Sequence, residues 1–165
     1  DVVPSTGGET RFINLRKAYD ALPESKKQEI DGLMALFRHQ HSIFNKTTND
    51  PTLVLPKLSK EEAAEVPDVI HPVVRTHPEN GTKALFITNT RTEFIVDMET
   101  AKSEALLQSL YDHLYADRFQ YHHHWRKGDL AMWDNRCLLH AATPNVPAGE
   151  KRRLFRTILE GSRPV

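Results

Sequence analysis

The stretch "MWDNRCLLHAA", residues 132–142, decides the fold, because it carries an apolar strand pattern up to a single histidine. The Lys127-Gly128-Asp129 turn precedes it, and together they predict a strand over residues 130–140. His140, at the end of that strand, has two interpretations. It is either a packed, hydrogen-bonded histidine or a metal ligand whose partners come from elsewhere in the fold.

Composition limits the class of protein. The chain has 165 residues, which fits a single domain over residues 1–165, and it is 39% apolar and 27% charged, as globular proteins are. Its 22 basic and 22 acidic residues balance, so no net charge attracts it to nucleic acid or to an anionic membrane. No apolar run approaches the roughly 20 residues of a membrane span. The single cysteine, Cys137, excludes an internal disulfide and favours a reducing, cytoplasmic compartment.

Further elements are predicted on the N-terminal side of this stretch. Residues 9–15, "ETRFINL", follow the Gly7-Gly8 turn and predict a strand, and a helix then runs to Pro23. The Asn80-Gly81 pair predicts a hairpin over residues 71–88. A second helix is predicted from near Ser25 with apolar residues Ile30, Leu33, Met34 and Phe37, and a third over 98–116 with Ala105, Leu106, Leu110, Leu114 and Tyr115 as its apolar stripe.

Two more strands and one long polar stretch complete the pattern. Residues 119–129 alternate and place Phe119, Tyr121, His123 and Trp125 on one face, and residues 151–161 predict the last strand. Residues 45–70 read as a long loop with a short helix in "SKEEAAEV". Strands around a few helices predict a mainly β fold with helical insertions, a barrel or a sandwich.

The other histidines are weaker candidates for a metal site. Neighbouring residues on a strand point to opposite faces, so His122, His123 and His124 cannot all bind one ion. His39 and His41 do not share a helix face. The segment His77-Pro78-Glu79 has the His-x-Glu spacing of two metal ligands, but it adjoins the hairpin tip, where side chains are normally solvated.

Arg152 and Arg156 form a basic cluster near the end of the chain. Their spacing of four places both on one face of a strand, with Arg153 on the other. Two guanidinium groups on an inner face need anions, so a small dicarboxylate or a sulfonate is a natural ligand. A solvated edge strand with surface salt bridges is the alternative.

Taken together, these pieces resemble the Fe(II)- and 2-oxoglutarate-dependent dioxygenases of the taurine/2,4-dichlorophenoxyacetate dioxygenase (TauD/TfdA) family. The matching stretches occur in family order along nearly all of the chain. They are "VVPSTGGETRF", "LRKAYDALP", "HPVVRTHPENGTKALF", "GDLAMWDNRCLLH" and "RRLFRTILEG".

The resemblance implies a double-stranded β-helix (jelly-roll) core and an Fe(II) site with 2-oxoglutarate and O2 as cosubstrates. It implies that His140 is the distal histidine of a 2-His-1-carboxylate iron site. Thr10 would hydrogen-bond the far carboxylate of 2-oxoglutarate, and Arg152 would form the salt bridge to it. Arg156 would lie nearer the iron and hold an anionic group of the substrate or the cosubstrate.

The chain departs from the family pattern at its start. In the family a proximal His-x-Asp/Glu pair precedes the "GGET" segment, and this chain begins too late to contain it. His77-Pro78-Glu79 belongs to the matched hairpin and does not replace that pair. We therefore expect this chain to be the C-terminal portion of the enzyme, with two iron ligands outside it and the N-terminal part of the jelly roll absent.

The resemblance leaves the substrate open. Arg91 stands where taurine-type relatives place an aromatic residue; pointing inward it would bind an anionic substrate, and solvent exposure is the alternative. His39, His41 and Ser42 fall in the stretch that forms a substrate lid in relatives. The expected partners are a small organic acid of the sulfonate, sulfate ester or aryloxyalkanoate type and a second copy of the chain in a homo-oligomer. A non-catalytic jelly-roll module that binds a small anion, without an iron site, and a purely structural role are the competing hypotheses.

Overall fold

The computed structural model describes residues 2–39, 59–161 and 163–165. Within these residues the chain forms short strands and helices in alternation. The strands are β1 (Thr10–Asn14), β2 (Met34–Phe37), β3 (Val69–Pro72), β4 (Val74–Thr76), β5 (Lys83–Leu85), β6 (Thr92–Ile95), β7 (Gln120–His123) and β8 (Leu138–Ala142). The helices are α1 (Leu15–Asp20), α2 (Glu24–Ile30), α3 (Lys60–Glu65) and α4 (Thr100–Leu114), with a single 3-10 turn at Asp117–Phe119.

The described strands form three small antiparallel sheets, ordered β7-β1-β8, β3-β2-β6 and β4-β5. The expectation of a mainly β fold is wrong for this part of the chain, because helices occupy about as many residues as strands. These sheets do not close into a barrel over the described residues. None of the described helices has both the length and the apolar composition that crossing a membrane requires.

The strand β1 and the helix α1 follow one another without a loop, as the sequence predicts. The side chain of Asn14 accepts a hydrogen bond from the backbone N–H of Lys17 at 3.0 Å and so caps the helix. Leu15 and Ala18 are fully buried on the inner side of α1. The backbone N–H of Leu15 also donates to the carbonyl of Cys137, which fixes α1 against the segment that leads into β8.

One hydrophobic core joins α1, the hairpin and α4. It is built where the apolar faces of these elements meet, and each of its central side chains is at most 2% exposed. These central residues are Leu15, Ala18, Ile30, Ala35, Val73, Ala84, Leu85, Ile87, Ile95, Leu110 and Leu114.

The second predicted helix is wrong in its extent. The helix α2 ends at Ile30, and Met34 and Phe37 lie on β2 rather than on a helical stripe. Gly32 adopts φ +73, a left-handed conformation that ends the helix, and the next residues pair with β3 and β6. Tertiary pairing therefore decides the conformation of this apolar segment, not its local spacing.

All of the last three predicted strands are revised. The strand predicted over 119–129 is β7, which ends at His123, so Trp125 lies beyond it. β8 begins only at Leu138, because residues 129–134 form no ladder and residues 135–137 form a turn. The segment 151–161 is not a strand; its one ladder contact is an isolated bridge between Val2 and Arg153. The alternating pattern is present there, but no described strand lies beside it.

Other predicted elements are confirmed. The hairpin is β4 and β5, with Val74 opposite Leu85, and the helix in residues 98–116 is α4. On α4 the buried stripe contains Leu106, Leu107 and Leu110, whereas Ala105 is exposed. The short helix in "SKEEAAEV" is α3, with a complete capping box between Ser59 and Glu62. The last residues of the predicted loop are not a loop, because Val69 and Ile70 belong to β3, which pairs with β2. Residues 45–58 of that loop, together with His41 and Ser42, lie outside the described residues.

Candidate functional site

One face of the β7-β1-β8 sheet collects the candidate residues. In this antiparallel ladder Phe12 lies opposite Tyr121 on one side and His140 on the other, and Thr10 lies opposite His123. Opposed residues project to the same face, and residues two apart do as well. His140 and Thr10 therefore project from the same face, in adjacent rows, as a joint ligand site requires.

Thr10 and Arg152 are in direct contact. Arg152 donates from Nε to the carbonyl of Gly8 at 2.6 Å and from Nη2 to Thr10 Oγ1 at 3.2 Å. Thr10 is 5% exposed and also accepts a hydrogen bond from Trp125 Nε1 at 2.9 Å. The two residues meet although 142 positions separate them in sequence. Their contact does not depend on the strand that was predicted for Arg152.

The Gly7-Gly8 turn brings this arginine against the backbone. Both glycines have left-handed φ values, +72 and +64, which other residues rarely adopt. A Cβ on Gly7 would stand 1.9 Å from the carbonyl oxygen of Asn145, and one on Gly8 would stand 3.0 Å from Cδ of Arg152. The turn thus lets the loop after β8 and the Arg152 side chain lie close to the start of β1.

His140 is half-buried in an aromatic surround. Its ring lies 5.0 Å from that of Trp133 and 6.3 Å from that of Phe12, measured between centroids. Burial lowers the pKa of His140, and the positive charge of Arg156 lowers it further. The neutral form of the imidazole is accordingly favoured, and the two aromatic rings pack beside it.

The remaining predicted site residues lie at different distances from this face. Arg156 is exposed and lies near enough to His140 to act on it electrostatically. Arg91 lies in the turn before β6 and donates a hydrogen bond to the backbone carbonyl of His39. The structure thus brings together Thr10, Arg152, His140 and Arg156, and it places Arg91 beside the β3-β2-β6 sheet.

The expectation that His77 is solvated at the hairpin tip is wrong. Its side chain is 7% exposed, and its Nε2 lies 3.0 Å from Oδ2 of Asp134. His77 Nδ1 accepts from the backbone N–H of Glu79, so the ring carries its proton on Nε2 and donates it to Asp134. The contact between His77 and Asp134 joins the hairpin to the turn before β8, and His77 is buried between them.

Arg136 completes this contact. Its Nε and Nη2 donate to the two carboxylate oxygens of Asp134 at 2.9 Å and 2.7 Å, and its Nη1 donates to Glu79 Oε1 at 2.8 Å. This guanidinium holds the pKa of the Asp134 carboxyl well below its usual range, and His77 adds to the effect. The network fixes the turn at residues 134–137, which leads directly into the strand that carries His140.

The histidine run divides between the two sheet faces, as alternation predicts. His122 lies opposite Arg11 on the outer face, and His123 lies on the inner face 3.3 Å from Asp129 Oδ2. His124 is exposed and pairs with Glu9. Among the residues that the structure describes, no three His, Cys, Asp or Glu side chains cluster closely enough to hold a metal ion.

A cavity of about 420 Å³ opens on the same sheet face as His140. It is walled by strand residues and by the turn before β8, and two of its apolar side chains, Leu130 and Met132, are each 92% exposed. Its lining includes Phe12, Asn14, Phe119, Tyr121, His123, Trp133 and Leu138. A small, largely apolar ligand with a polar end fits such a surface.

Sequence reasoning missed two contributors to the site. The alternating pattern predicted only that Trp125 shares one strand face with Phe119, Tyr121 and His123, and its hydrogen bond to Thr10 spans 115 residues and has no local signature. Asp134 had no predicted role. An aspartate two residues before an arginine, within an apolar segment, is a signal that could have marked it as one end of an ion pair.

The chain matches known proteins along almost its whole length. The model of the taurine catabolism dioxygenase TauD, TfdA family matches residues 1–158. The (S)-phenoxypropionate/alpha-ketoglutarate-dioxygenase of Sphingobium herbicidovorans is 41% identical over 145 residues, covering 87% of this chain and 50% of the relative. The alpha-ketoglutarate-dependent 2,4-dichlorophenoxyacetate dioxygenase of a Burkholderia species (strain RASC) is 40% identical over 162 residues, covering 98% and 52%.

A solved structure is also similar to this chain over most of its length. The structure described as AAD-2 in complex with Mn(II) and N-oxalylglycine superposes with a TM-score of 0.74 at 31% identity, covering 92% of this chain and 57% of that one. The chain spans about half the length of the curated relatives that it matches. On the family match and these likenesses, the chain belongs to the TauD/TfdA dioxygenase family.

Proposed function

We propose that this chain supplies the cosubstrate cradle and one iron ligand of an Fe(II)- and 2-oxoglutarate-dependent dioxygenase. The observation that carries the proposal is the sheet face that His140 and Thr10 share, with the Arg152 side chain in contact with Thr10. An imidazole and an anion-binding pair, one ladder row apart, suit a ligand that binds a metal at one end and carries a carboxylate at the other. Family membership supports the same reaction.

Thr10 and Arg152 fit the far carboxylate of 2-oxoglutarate. Arg152 has a fork of N–H donors, of which Nη2 is directed at Thr10; Thr10 is buried and Arg152 is partly buried. A carboxylate at this point would receive charge-assisted hydrogen bonds from both residues. Their role in this chain is to bind and orient the dicarboxylate so that its keto-acid end faces His140.

His140 fits a metal ligand by position and by protonation. It lies in the middle of β8, directly after the turn that the Asp134 network fixes, and its lowered pKa favours the neutral imidazole that coordination requires. When bound, Fe(II) supplies the activation of O2 that couples decarboxylation of 2-oxoglutarate to oxidation of the substrate. The described residues provide one of the three protein ligands of such a site. Phe12 and Trp133 limit the access of water to it.

The substrate proposed here is a small organic acid of the aryloxyalkanoate type, oxidised with release of succinate and CO2. Two relatives named for phenoxypropionate and 2,4-dichlorophenoxyacetate support this class over the sulfonates and sulfate esters. The apolar cavity suits the aryl group, and Arg156, exposed near His140, suits the carboxylate. Arg91 is a second candidate for an anionic group. A jelly roll is the fold proposed for the whole protein.

An anaerobic titration of the intact protein with Fe(II) and 2-oxoglutarate tests the proposal. A visible metal-to-ligand charge-transfer band is expected, and it should be lost in His140→Ala. His122→Ala is the matched control, because that histidine lies on the opposite face of the same sheet and should leave the band intact. A protein without the band, or a band that survives His140→Ala, would contradict the proposed site.

A further inference from the structure

The Thr10 hydroxyl has both of its acceptor positions occupied by protein donors. Trp125 donates from Nε1 at 2.9 Å, and Arg152 donates from Nη2 at 3.2 Å. A threonine hydroxyl offers two acceptor lone pairs and one O–H donor. With both lone pairs engaged, the only remaining capacity of this group is to donate its hydrogen.

That hydrogen has no acceptor among the hydrogen bonds of the described residues, although the Thr10 side chain is 5% exposed. A buried hydroxyl that cannot donate loses part of its hydrogen-bonding energy, so an acceptor is favoured beside it. Thr10 projects from the same face as His140, so a ligand bound on this face is placed to supply that acceptor. The strongest acceptor for such a donor, next to a guanidinium, is a carboxylate.

Trp125 and Arg152 together restrict the Thr10 hydroxyl to a donor role more firmly than Arg152 does alone. With Arg152 as sole donor, the hydroxyl could rotate and present a free lone pair to a ligand that donates. The indole N–H is a donor only and cannot exchange roles. The Trp125 ring is itself held, since it packs edge-on against His123 at 4.5 Å with an interplanar angle of 85°.

We propose that Trp125 is a positioning residue that keeps the Thr10 hydroxyl as an obligatory donor, so that the cradle selects a carboxylate over a neutral group at the far end of the keto acid. This inference rests on the proposed function. It adds a specificity determinant whose side chain acts through Thr10 and does not itself need to touch the ligand.

Binding measurements on the intact protein test the inference without turnover. Mn(II) is used as a redox-inert metal, and two probes are titrated by calorimetry: 2-oxoglutarate and 2-oxovalerate, which lacks the far carboxylate. In Trp125→Phe the Kd of 2-oxoglutarate should rise about three- to tenfold, as expected for a weakened hydrogen bond to a charged group. The Kd of 2-oxovalerate should be unchanged. An equal loss for both probes would mean that Trp125 only supports the sheet, and would overturn the inference.

A double-mutant cycle with Thr10→Val separates a direct from an indirect role. If Trp125 acts through the Thr10 hydroxyl, Trp125→Phe should have no further effect on 2-oxoglutarate binding once Thr10→Val is present. Additive losses would overturn the inference. Benzothienylalanine at position 125, which keeps the indole shape and replaces N–H with sulfur, should reproduce the loss if Trp125→Phe folds poorly.

The two proposals fail in different ways. If the unsubstituted protein binds no 2-oxoglutarate in the presence of Mn(II), the proposed function fails and the inference with it. If the unsubstituted protein binds 2-oxoglutarate and neither substitution at Trp125 changes its preference over 2-oxovalerate, the inference alone fails.

Discussion

At the scale of single residues, Asp134 is the charged group on which the turn before β8 depends. Arg136 binds both of its carboxylate oxygens, and His77 donates to one of them. The pKa of Asp134 is lowered chiefly by Arg136, so the folded state favours the ionised carboxylate. A lowered pKa contributes stability above the ordinary pKa of about 3.9, and this contribution is lost as the pH falls below it.

Asp134→Asn should therefore destabilise the protein at neutral pH. An asparagine can still accept from His77, but it loses the charge that faces Arg136, so we expect about 1–2 kcal/mol less unfolding free energy at pH 7. The difference from the unsubstituted protein should persist at pH 5 and shrink below about pH 4. Urea denaturation across this range measures it.

Glu79→Gln is the control, since Glu79 touches the same arginine but is 71% exposed. Its effect on the unfolding free energy should be clearly smaller than that of Asp134→Asn between pH 5 and pH 7. If Asp134→Asn lowers the unfolding free energy equally at every pH, the charge of Asp134 is not the cause of the destabilisation.

Gly7 is the second residue whose substitution has a sharp expected outcome. Gly7→Ala places a methyl group 1.9 Å from the Asn145 carbonyl oxygen, in addition to the left-handed backbone at φ +72. Gly81→Ala has nearly the same φ, +69, and nothing within 4 Å. Gly81→Ala should lower the unfolding free energy by about 1–2 kcal/mol through backbone strain alone. Gly7→Ala should lower it by more, because the clash adds to the strain. Thermal unfolding of the two variants compares them, and equal losses would exclude the clash.

At the scale of elements, one buried hydrogen bond links α4 to the β3-β2-β6 sheet. Ser103, on the inner face of α4, is 1% exposed, and its Oγ accepts from the backbone N–H of Ile95 at 2.8 Å. Ile95 is itself fully buried at the end of β6. The serine thus satisfies a buried backbone donor on β6, an edge strand of this sheet.

Ser103→Ala should loosen this junction. The Ile95 N–H would be left buried without its acceptor, which costs about 1–3 kcal/mol of unfolding free energy. Ser109→Ala is the matched control on the same helix, because Ser109 donates only to the carbonyl of Leu106 within its own helix. Hydrogen exchange at Ile95 should quicken in Ser103→Ala alone; an unchanged rate would contradict the assigned contact.

The elements also show what the sequence could and could not predict. The helix α4 and the hairpin were predictable, because fifteen helical residues with an apolar stripe and an Asn-Gly turn are local signals. β2 was not, since its four residues fit a helical spacing and become a strand only by pairing with β3 and β6. The segment 151–161 shows the reverse case, a strand pattern without a described partner.

For the site, the residue types were predictable and the contacts were not. The spacing of Arg152 and Arg156 and the strand before His140 pointed to an anion and a metal. The contact of Arg152 with Thr10 runs through its own hydrogen bonds rather than through a strand register. The pairing of His77 with Asp134 joins residues 57 positions apart and has no signature in either segment.

At the scale of the whole molecule, apolar side chains fall into two populations. The core around α1, α4 and the hairpin excludes water, with Leu110 at 1% exposure. The sheet face at the cavity does not, with Leu130 and Met132 at 92%. The first population accounts for stability, and the second lies where the proposed site needs an apolar surface.

Alanine substitutions of one leucine from each population test this division. Leu110→Ala should lower the unfolding free energy by about 2–5 kcal/mol, because it leaves a cavity in the core. Leu130→Ala should change it by less than about 0.5 kcal/mol, and should instead weaken binding of an aryloxyalkanoate. Chemical denaturation of both variants measures the contrast, and a large loss of stability in Leu130→Ala would show that residue to be part of the core.

The central position of β1 has a consequence for the order of folding. β1 pairs only with β7 and β8 among the described strands, and the contacts of Thr10 reach residues 115 and 142 positions further along the chain. Such distant pairings are slow to form, because the intervening chain must close a long loop first. On the ribosome, β1 emerges long before Trp125 and Arg152 and waits for both. The cradle is therefore assembled late, and a chain that ends before Arg152 would lack it.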